Sequence, residues 1–390
     1  MQTHLLIGTK KGAWIYSSDE RRQTWEVSEP IMPGWTVHHL AVDRRRETPR
    51  IYAAANHWAW GPSVARSDDG GKTWEQRSPG LAFPEDMGVA IGSVWHIRPG
   101  HESQPGVVYA GTQPAGLFRS EDWGDTWAPV DSINRHKYRP GWFGSGGGDS
   151  ALHSIEIDPR DARHFYVSIS TGGTYETADG GETWRISSHR VVPTTPMAKQ
   201  MEEGFKERFP ELSAQFEEQF KLPPNVDPAA QDEFHKLVLD PKRPDRLWGQ
   251  AHIGVFRLEE DSASGWEDVT EGLPSFHGFP IAISRQAPDA VFVVPLAFEE
   301  DNFRVVRNQF AVWRTMDAGK TWQQLANGLP GPNDYQSVYR EGLDTDGLQP
   351  EGVYVGTSNG QVYGSSDLGE SWQRLPGTLP PILSLTAGVW

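Results

Sequence analysis

The chain contains no cysteine. That excludes disulfides and thiolate metal sites, and leaves His, Asp and Glu as the strong metal ligands. Positive charge is also short: 36 Lys and Arg stand against 52 Asp and Glu, a formal net charge of −16. A surface this acidic repels nucleic acid and anionic membranes, so neither is expected as a partner. No apolar run is long enough to span a bilayer. The opening Met1-Gln2-Thr3-His4 runs directly into Leu5-Leu6-Ile7 with no leader pattern, and a cytoplasmic protein is the expectation.

Glycine and proline, by contrast, are plentiful (41 and 30), which suits short strands joined by tight turns. Much of this punctuation falls in a repeated octet. Ser67-Asp68-Asp69-Gly70-Gly71-Lys72-Thr73-Trp74 recurs as Ser120–Trp127, Thr177–Trp184, Thr315–Trp322 and Ser365–Trp372, and in weaker form as Ser17–Trp25 and Asp261–Trp266. Each residue type has a task. The Asp carboxylate can accept from backbone N–H groups and from the Thr hydroxyl, Gly takes a conformation that strains other residues, and Trp buries a large ring to anchor the turn. A chain of 390 residues would ordinarily divide into two or three domains, but a repeat of roughly 50 residues points instead to one repeat architecture.

Each octet sits in a repeat of four short strands. The second strands align as Ile51-Tyr52-Ala53, Val108-Tyr109-Ala110, Phe165-Tyr166-Val167, Leu247-Trp248-Gly249, Val291-Phe292-Val293 and Val353-Tyr354-Val355. The N-terminal repeat begins at its second strand, and the terminal Ile382–Val389 supplies the missing first. The pattern predicts an all-β, seven-bladed β-propeller with four-stranded antiparallel blades, closed by the C-terminal strand joining the N-terminal blade, a single domain over residues 1–390. Two segments break the rhythm. One is a loop over 131–150 with the run Gly144-Ser145-Gly146-Gly147-Gly148, which lacks the ending of a phosphate loop. The other is 188–233, where Met201, Phe205, Phe209, Leu212, Phe216 and Phe220 recur at helical spacing and Pro210 is placed to start a helix. A small helical insertion on the face opposite the octets is expected there, with a protein partner as one use for it.

Candidate site residues follow from the topology. If the octets join strands three and four at one face, both insertions and the second-strand ends lie at the other, around the central channel. Thirteen residues before the second-strand aromatic stand His39, His96, His153 and His235, with Phe279 and Glu341 at the same offset. Four imidazoles in one register could hold a divalent transition metal, or simply line a wet channel. On the same face, Asp149 and Glu341 are candidates for general acid/base work, with Glu299, Glu300 and Asp301 behind them. His57, Trp58, Gln113, Arg135, His136, Trp142, His252 and Arg340 are candidates for contacting a small-molecule or glycan ligand.

The octet resembles the Asp-box, or BNR repeat, of the sialidase-like β-propellers, within the wider class of WD40/YVTN/BNR-like repeat proteins. The resemblance covers nearly the whole chain outside the two insertions and is specific for fold rather than activity. It implies that the octets lie away from the active face. Relatives of this kind include glycoside hydrolases, sortilin-type receptors and photosystem assembly factors. True sialidases carry a Phe/Tyr-Arg-Ile-Pro motif that this sequence lacks, and Arg98 and Arg340 are the nearest candidates for substrate arginines. Ligand binding at the channel face, metal-assisted through the histidines, is the leading reading. A sialidase-like hydrolase and a non-catalytic assembly scaffold are the alternatives.

Overall fold

In the computed structural model, the sequence forms seven antiparallel sheets, six of them with at least four strands. The structure describes residues 2–144, 148–187, 191–196, 199, 203, 206–207, 210–219, 221–259, 265–287, 289–297, 304–306 and 309–390. Blades are numbered here from the N-terminus. In the first, Ile382–Val389 is the innermost strand and pairs with Thr3–Thr9, from Thr3 against Val389 to Thr9 against Ile382. The two chain ends thus share one sheet, and no edge is left open at the seam.

Blade two pairs Thr36–Asp43 with Arg50–His57, and that strand with Gly61–Ser67. Its fourth strand contracts to one bridge, in which Arg66 and Glu75 exchange N–H···O bonds of 2.9 Å. The sixth blade instead gains an extra strand, Arg304–Val305. Second strands are buried on both faces, Ile51 through Ala55 without a break, because each sheet is covered on either side by its neighbours. Seven apolar clusters fill the seven gaps between blades. Leu5, Tyr16 and Trp25 of the first blade, for example, meet Tyr354, Val362 and Leu375 of the seventh. Each buried side chain of Phe size contributes about 1.5–3 kcal/mol, so ring closure adds a full interface rather than a hydrogen-bonded edge alone.

The octets fold into the expected turns between strands three and four. In the second blade Thr73 donates to Asp69 through its backbone N–H (2.9 Å) and its hydroxyl (2.6 Å), while Ser67 Oγ donates to Asp69 (2.8 Å) and accepts from Gly71 N–H (2.9 Å). The same set recurs around Asp122, Asp179, Asp317 and Asp367. Two left-handed residues follow each Asp, and the second is always Gly, as in Ala318 (φ 58°) then Gly319 (φ 87°). A Cβ on Gly319 would sit 2.7 Å from Val269 of the adjacent blade, so both conformation and space demand glycine. The degenerate first copy still folds, with Arg22 left-handed (φ 56°) and its N–H on Asp19. Most of the Asp261–Trp266 copy lies outside the described residues, as do Ser145, Gly146, Gly147, Glu299, Glu300 and Asp301.

The described part of the second insertion includes an α-helix, Pro210–Gln219, and residues 208–209 before it lie outside the described residues. Met201, Phe205, Phe209 and Phe220 of the helical stripe lie outside the described residues, as do the side chains of Leu212 and Phe216. Among the described residues no helix is long and apolar enough to cross a membrane. Strand direction now fixes two faces: the aspartate turns and the links from strand one to two lie at one end of the channel, and the turns from strand two to three at the other.

Candidate functional site

Each first strand in blades two to five carries a one-residue bulge near the channel wall. The register shifts between Val37 and His39, Val94 and His96, Leu152 and Ser154, and Phe234 and Lys236. The extra residues are His38, Trp95, His153 and His235. The link from strand one to two is also shorter in the later blades. Tyr52 and Tyr109 pair with Ala41 and Arg98, eleven residues back, whereas Tyr166 and Trp248 pair with Glu156 and Val238, ten back. A constant offset from the aromatic therefore mixes two positions. The expectation of one histidine register is corrected to two tiers, because a one-residue slip in a strand exchanges the faces its side chains address.

The in-register tier is His39, His96, Ser154 and Lys236, joined by Glu341 from the seventh blade. It lines a cavity of about 440 Å³ in the half of the channel toward the aspartate turns, together with Arg98, Glu156, Arg285 and Asp344. The bulge tier is His38, Trp95, His153 and His235. It lines a cavity of about 320 Å³ at the opposite mouth, together with Glu233, His252, His277, Phe279, Tyr339 and Arg340. Glu341 touches both cavities.

The lower tier is built around an ion pair, although neither buried ring nitrogen of His96 makes a hydrogen bond among the described residues. Lys236 Nζ lies 3.0 Å from Glu341 Oε2, and His96 Nδ1 lies 3.6 Å from Glu341 Oε1. Burial opposes ionisation of Glu341, but the charge of Lys236 and the contact with His96 outweigh it and hold the carboxyl well below its usual range. His39 and His96 stack at 4.3 Å, and His39 Nδ1 accepts the Ile97 N–H at 3.2 Å. A neutral His39 then carries its proton on Nε2, the nitrogen that would have to be bare to take a metal. The donor atoms of His39, His96 and Glu341 come within 4.8 Å of one another, yet this tautomer and the neighbouring ammonium group both oppose a cation there.

The upper tier is arranged differently. The turn from strand two to three in blade five places His252 opposite the start of strand one, where its N–H bonds to the Glu233 carbonyl at 2.8 Å. Buried Gln250 ties that turn to blade six, donating to the carbonyls of Ala251 (2.9 Å), Gly254 (3.2 Å) and Phe276 (3.2 Å). Glu233, His235, His252 and His277 thereby meet across one interblade seam. His235 Nδ1 donates to the Gly278 carbonyl at 2.6 Å, which leaves Nε2 bare and facing the cavity. Around that nitrogen lie Glu233 Oε1 at 3.5 Å and His252 Nδ1 at 3.4 Å, and His252 Nδ1 is 3.7 Å from Glu233 Oε2. His277 Nδ1 donates to the His252 carbonyl at 3.2 Å and orients the turn. Burial pushes His235 down to about 4 and His277 to about 3, so both are neutral at physiological pH. Burial opposes ionisation of Glu233 as well, but the surrounding imidazole rings and the Arg340 guanidinium together hold its carboxyl below the usual range.

Arg340 completes the upper wall. Its guanidinium lies over the Trp95 ring, 5.4 Å from the centroid, and Trp95 in turn stacks on His38 at 5.0 Å. The buried Nε makes no hydrogen bond among the described residues, and Glu233 and Glu341 act on the charge only at longer range. His153 is similar in part: Nδ1 meets Ser154 Oγ at 3.0 Å, while buried Nε2 makes no hydrogen bond among the described residues.

The other candidates scatter. Asp149 is exposed on its loop, where its carbonyl accepts from Gln113 Nε2 at 2.8 Å, and it lines neither cavity beside Glu341. The acid/base pair expected from Asp149 and Glu341 is therefore not brought together in either cavity. Gln113 also accepts from Trp95 Nε1 at 3.0 Å and so buttresses the wall. Arg135 is engaged by Asp86 at 2.7 Å, His136 packs on Tyr138 and Tyr175, and Trp142 donates to the Tyr175 hydroxyl at 2.7 Å. These three hold the 131–150 loop down rather than facing the channel. Trp58 is 93 % exposed and stacks on His57 beside Trp60, away from both cavities. Glu233, Lys236, Trp95 and His277 went unread in the sequence. Alternation offers one signal, since Glu233 and His277 stand two residues before His235 and Phe279.

No family model matches the chain. A probable oligoxyloglucan-reducing end-specific xyloglucanase of Neosartorya fischeri is 24 % identical over 295 residues, covering 69 % of this chain and 31 % of its own length. A xyloglucanase of Acetivibrio thermocellus is 23 % identical over 301 residues (71 % and 31 %), and a sialidase of Bacteroides fragilis 27 % over 164 residues (34 % and 30 %). The chain spans about a third of the length of these curated relatives. Among solved structures, the GH74 enzyme of Niastella koreensis superposes with a TM-score of 0.61 at 16 % identity, covering 95 % of this chain and 51 % of that one. YCF48 bound to D1 peptide gives 0.51 at 15 % identity, covering 96 % and 90 %. The chain is a seven-bladed propeller similar to propeller glycoside hydrolases. At these identities the structural likeness speaks for the fold alone.

Proposed function

We propose that this protein binds a small, sugar-like ligand carrying a negative charge in the cavity at the channel mouth, on the face away from its Asp-box turns. The observation that carries the reading is Arg340, a half-buried cation whose buried Nε makes no hydrogen bond among the described residues, at the wall of a cavity of about 320 Å³. A buried donor without a partner is costly, and a carboxylate, sulfate or phosphate group on a ligand would supply it. Trp95 and Phe279 add apolar ring surface to the cavity wall, and the volume is that of a small-ligand site. The similarity to glycan-acting propellers supports a saccharide as the rest of the molecule.

The test is calorimetric titration with matched neutral and acidic saccharides. Acidic ones bind, and Arg340→Met weakens them roughly tenfold or more, the loss of a charge-assisted hydrogen bond. Equal binding of neutral saccharides, unaltered by Arg340→Met, overturns the proposal.

A second reading, glycoside hydrolysis, is favoured by the xyloglucanase similarity and by one contrast in the lower cavity. Glycosidases need one protonated and one ionised carboxyl. Burial raises Glu156, whereas Glu341 is held ionised, and both line that cavity. Turnover of a xyloglucan-oligosaccharide panel that disappears in Glu156→Gln would select this reading. No turnover by the wild type would remove it.

A further inference from the structure

We infer that Glu233, His235 and His252 hold a divalent transition metal at the wall of the channel-mouth cavity. Two donors bound at 2.0–2.1 Å to a tetrahedral metal lie about 3.3 Å apart. His235 Nε2 lies 3.4 Å from His252 Nδ1 and 3.5 Å from Glu233 Oε1, while His252 Nδ1 is 3.7 Å from the other carboxylate oxygen, Oε2. With one donor atom from each residue the set lies within 4.8 Å, so a rotation of the Glu233 carboxylate and a small approach of the rings close it on an ion.

Support around the donors has the form that metal sites use. His235 gives its Nδ1 proton to a backbone carbonyl, which fixes the ring and leaves Nε2 with its lone pair toward Glu233 and His252. The proton that His252 Nδ1 shares with that nitrogen at 3.4 Å leaves when an ion enters. Phe279 stacks on the same ring at 4.4 Å and limits its rotation. His252 rides on a turn fastened by Gln250 and by the bond from His277 to its carbonyl. Two imidazoles and one carboxylate, with no thiolate, suit zinc, copper, nickel or iron better than calcium or magnesium. Three protein ligands leave at least one coordination position, and the cavity is where a fourth donor would enter. A ligand whose charged group met Arg340 could place a hydroxyl or carboxylate oxygen on the ion.

The inference shares a cavity with the proposed ligand but does not depend on that ligand's charge, and the two can fail separately. The experiment uses full-length protein and metal alone. Titration of chelator-treated protein with Zn²⁺ gives one tight site per chain, and Co²⁺ gives the intense visible absorption of a tetrahedral nitrogen and oxygen set. Glu233→Gln and His252→Ala each weaken Zn²⁺ by roughly a hundredfold or more and abolish the cobalt band. His39→Ala and His96→Ala leave both unchanged. His252 is the more exposed of the two histidine donors, with 27 % of its side chain accessible, so its variant decides the matter should His235→Ala fail to fold. Absence of a tight site in the wild type, or undiminished Zn²⁺ binding in Glu233→Gln and His252→Ala, overturns the inference. Failure of the saccharide titration with the zinc site intact would leave the metal standing and remove only the ligand reading.

Discussion

The two histidine tiers use the same residue type on the same strands, one residue apart, and their chemistry is opposite. In the lower tier the charges pair within the protein: Lys236 neutralises Glu341 and the Ile97 N–H occupies His39. The ring nitrogens of His96, 3.6 Å from the same carboxylate at the nearest, make no hydrogen bond among the described residues. In the upper tier a carbonyl takes the His235 proton and turns the lone pair toward the cavity, while Arg340 faces that cavity with a nitrogen unpaired. A buried polar group that has its partner within the protein contributes to the fold; one left without a partner awaits something the chain does not contain. Composition alone would have ranked the tiers equally.

The largest effect expected from breaking this contrast lies in the lower tier. Lys236→Met leaves the Glu341 charge buried without its partner and should cost about 3–5 kcal/mol in urea unfolding, most of it recovered in the double variant with Glu341→Gln. Zinc binding should not change in either. A neutral Lys236→Met would show that the ion pair with Glu341 does not hold the lower tier together.

A smaller effect comes from a histidine outside both tiers. His164 lies between Glu176 (2.9 Å) and Asp158 (3.0 Å), and the bond to Glu176 leads in raising its pKa against burial. Because the folded value is raised, its stabilisation is fully present below the unfolded value near 6.5 and fades as pH rises through the folded value. His164→Gln should lose about 1.5–3 kcal/mol at pH 5.5 and less at pH 9. Buried His235 has the opposite sign. His235, lowered to about 4, stabilises above 6.5, and that stability is lost as pH falls from 6.5 toward 4. Thermal melts of wild type and His164→Gln across this range separate the two behaviours; equal losses at both pH values would refute the assignment.

At the turn face, Thr321→Val removes the hydroxyl bond to Asp317 (2.6 Å) and should cost about 1 kcal/mol, leaving zinc and saccharide affinity per folded molecule unaltered. An affinity change would mean that the two ends of the channel are coupled. Arg340→Met carries the reverse sign for stability. Removing a guanidinium whose buried Nε lacks a hydrogen-bond partner should stabilise the ligand-free protein by up to about 1 kcal/mol while binding is lost, and a destabilised variant would mean that its packing over Trp95 outweighs the unbonded nitrogen.

The octets were legible because their bonds are short-range. Asp69 reaches Thr73 four residues away, so the turn is written in consecutive letters and its repetition counts the blades. Strand alternation and the orphan first strand of the N-terminal repeat likewise specified ring closure. The tiers could not be read the same way, since His39 and His153 stand at the same offset from their aromatics yet line different cavities. A bulge and one residue fewer in a link separate them, and neither leaves a residue-type signature.

The sequence by itself determined the propeller, its blade count, its seam and the face on which the turns lie, because each depends on local hydrogen bonding and on the two-residue period of strands. Only the tertiary structure decided which polar groups meet. Glu233, His235 and His252 converge with His277 because the ring sets two blades side by side, and Arg340, from a third, comes to face the same cavity without a partner for its Nε. Contacts made through space between distant segments depend on register to within one residue, and register is settled by packing.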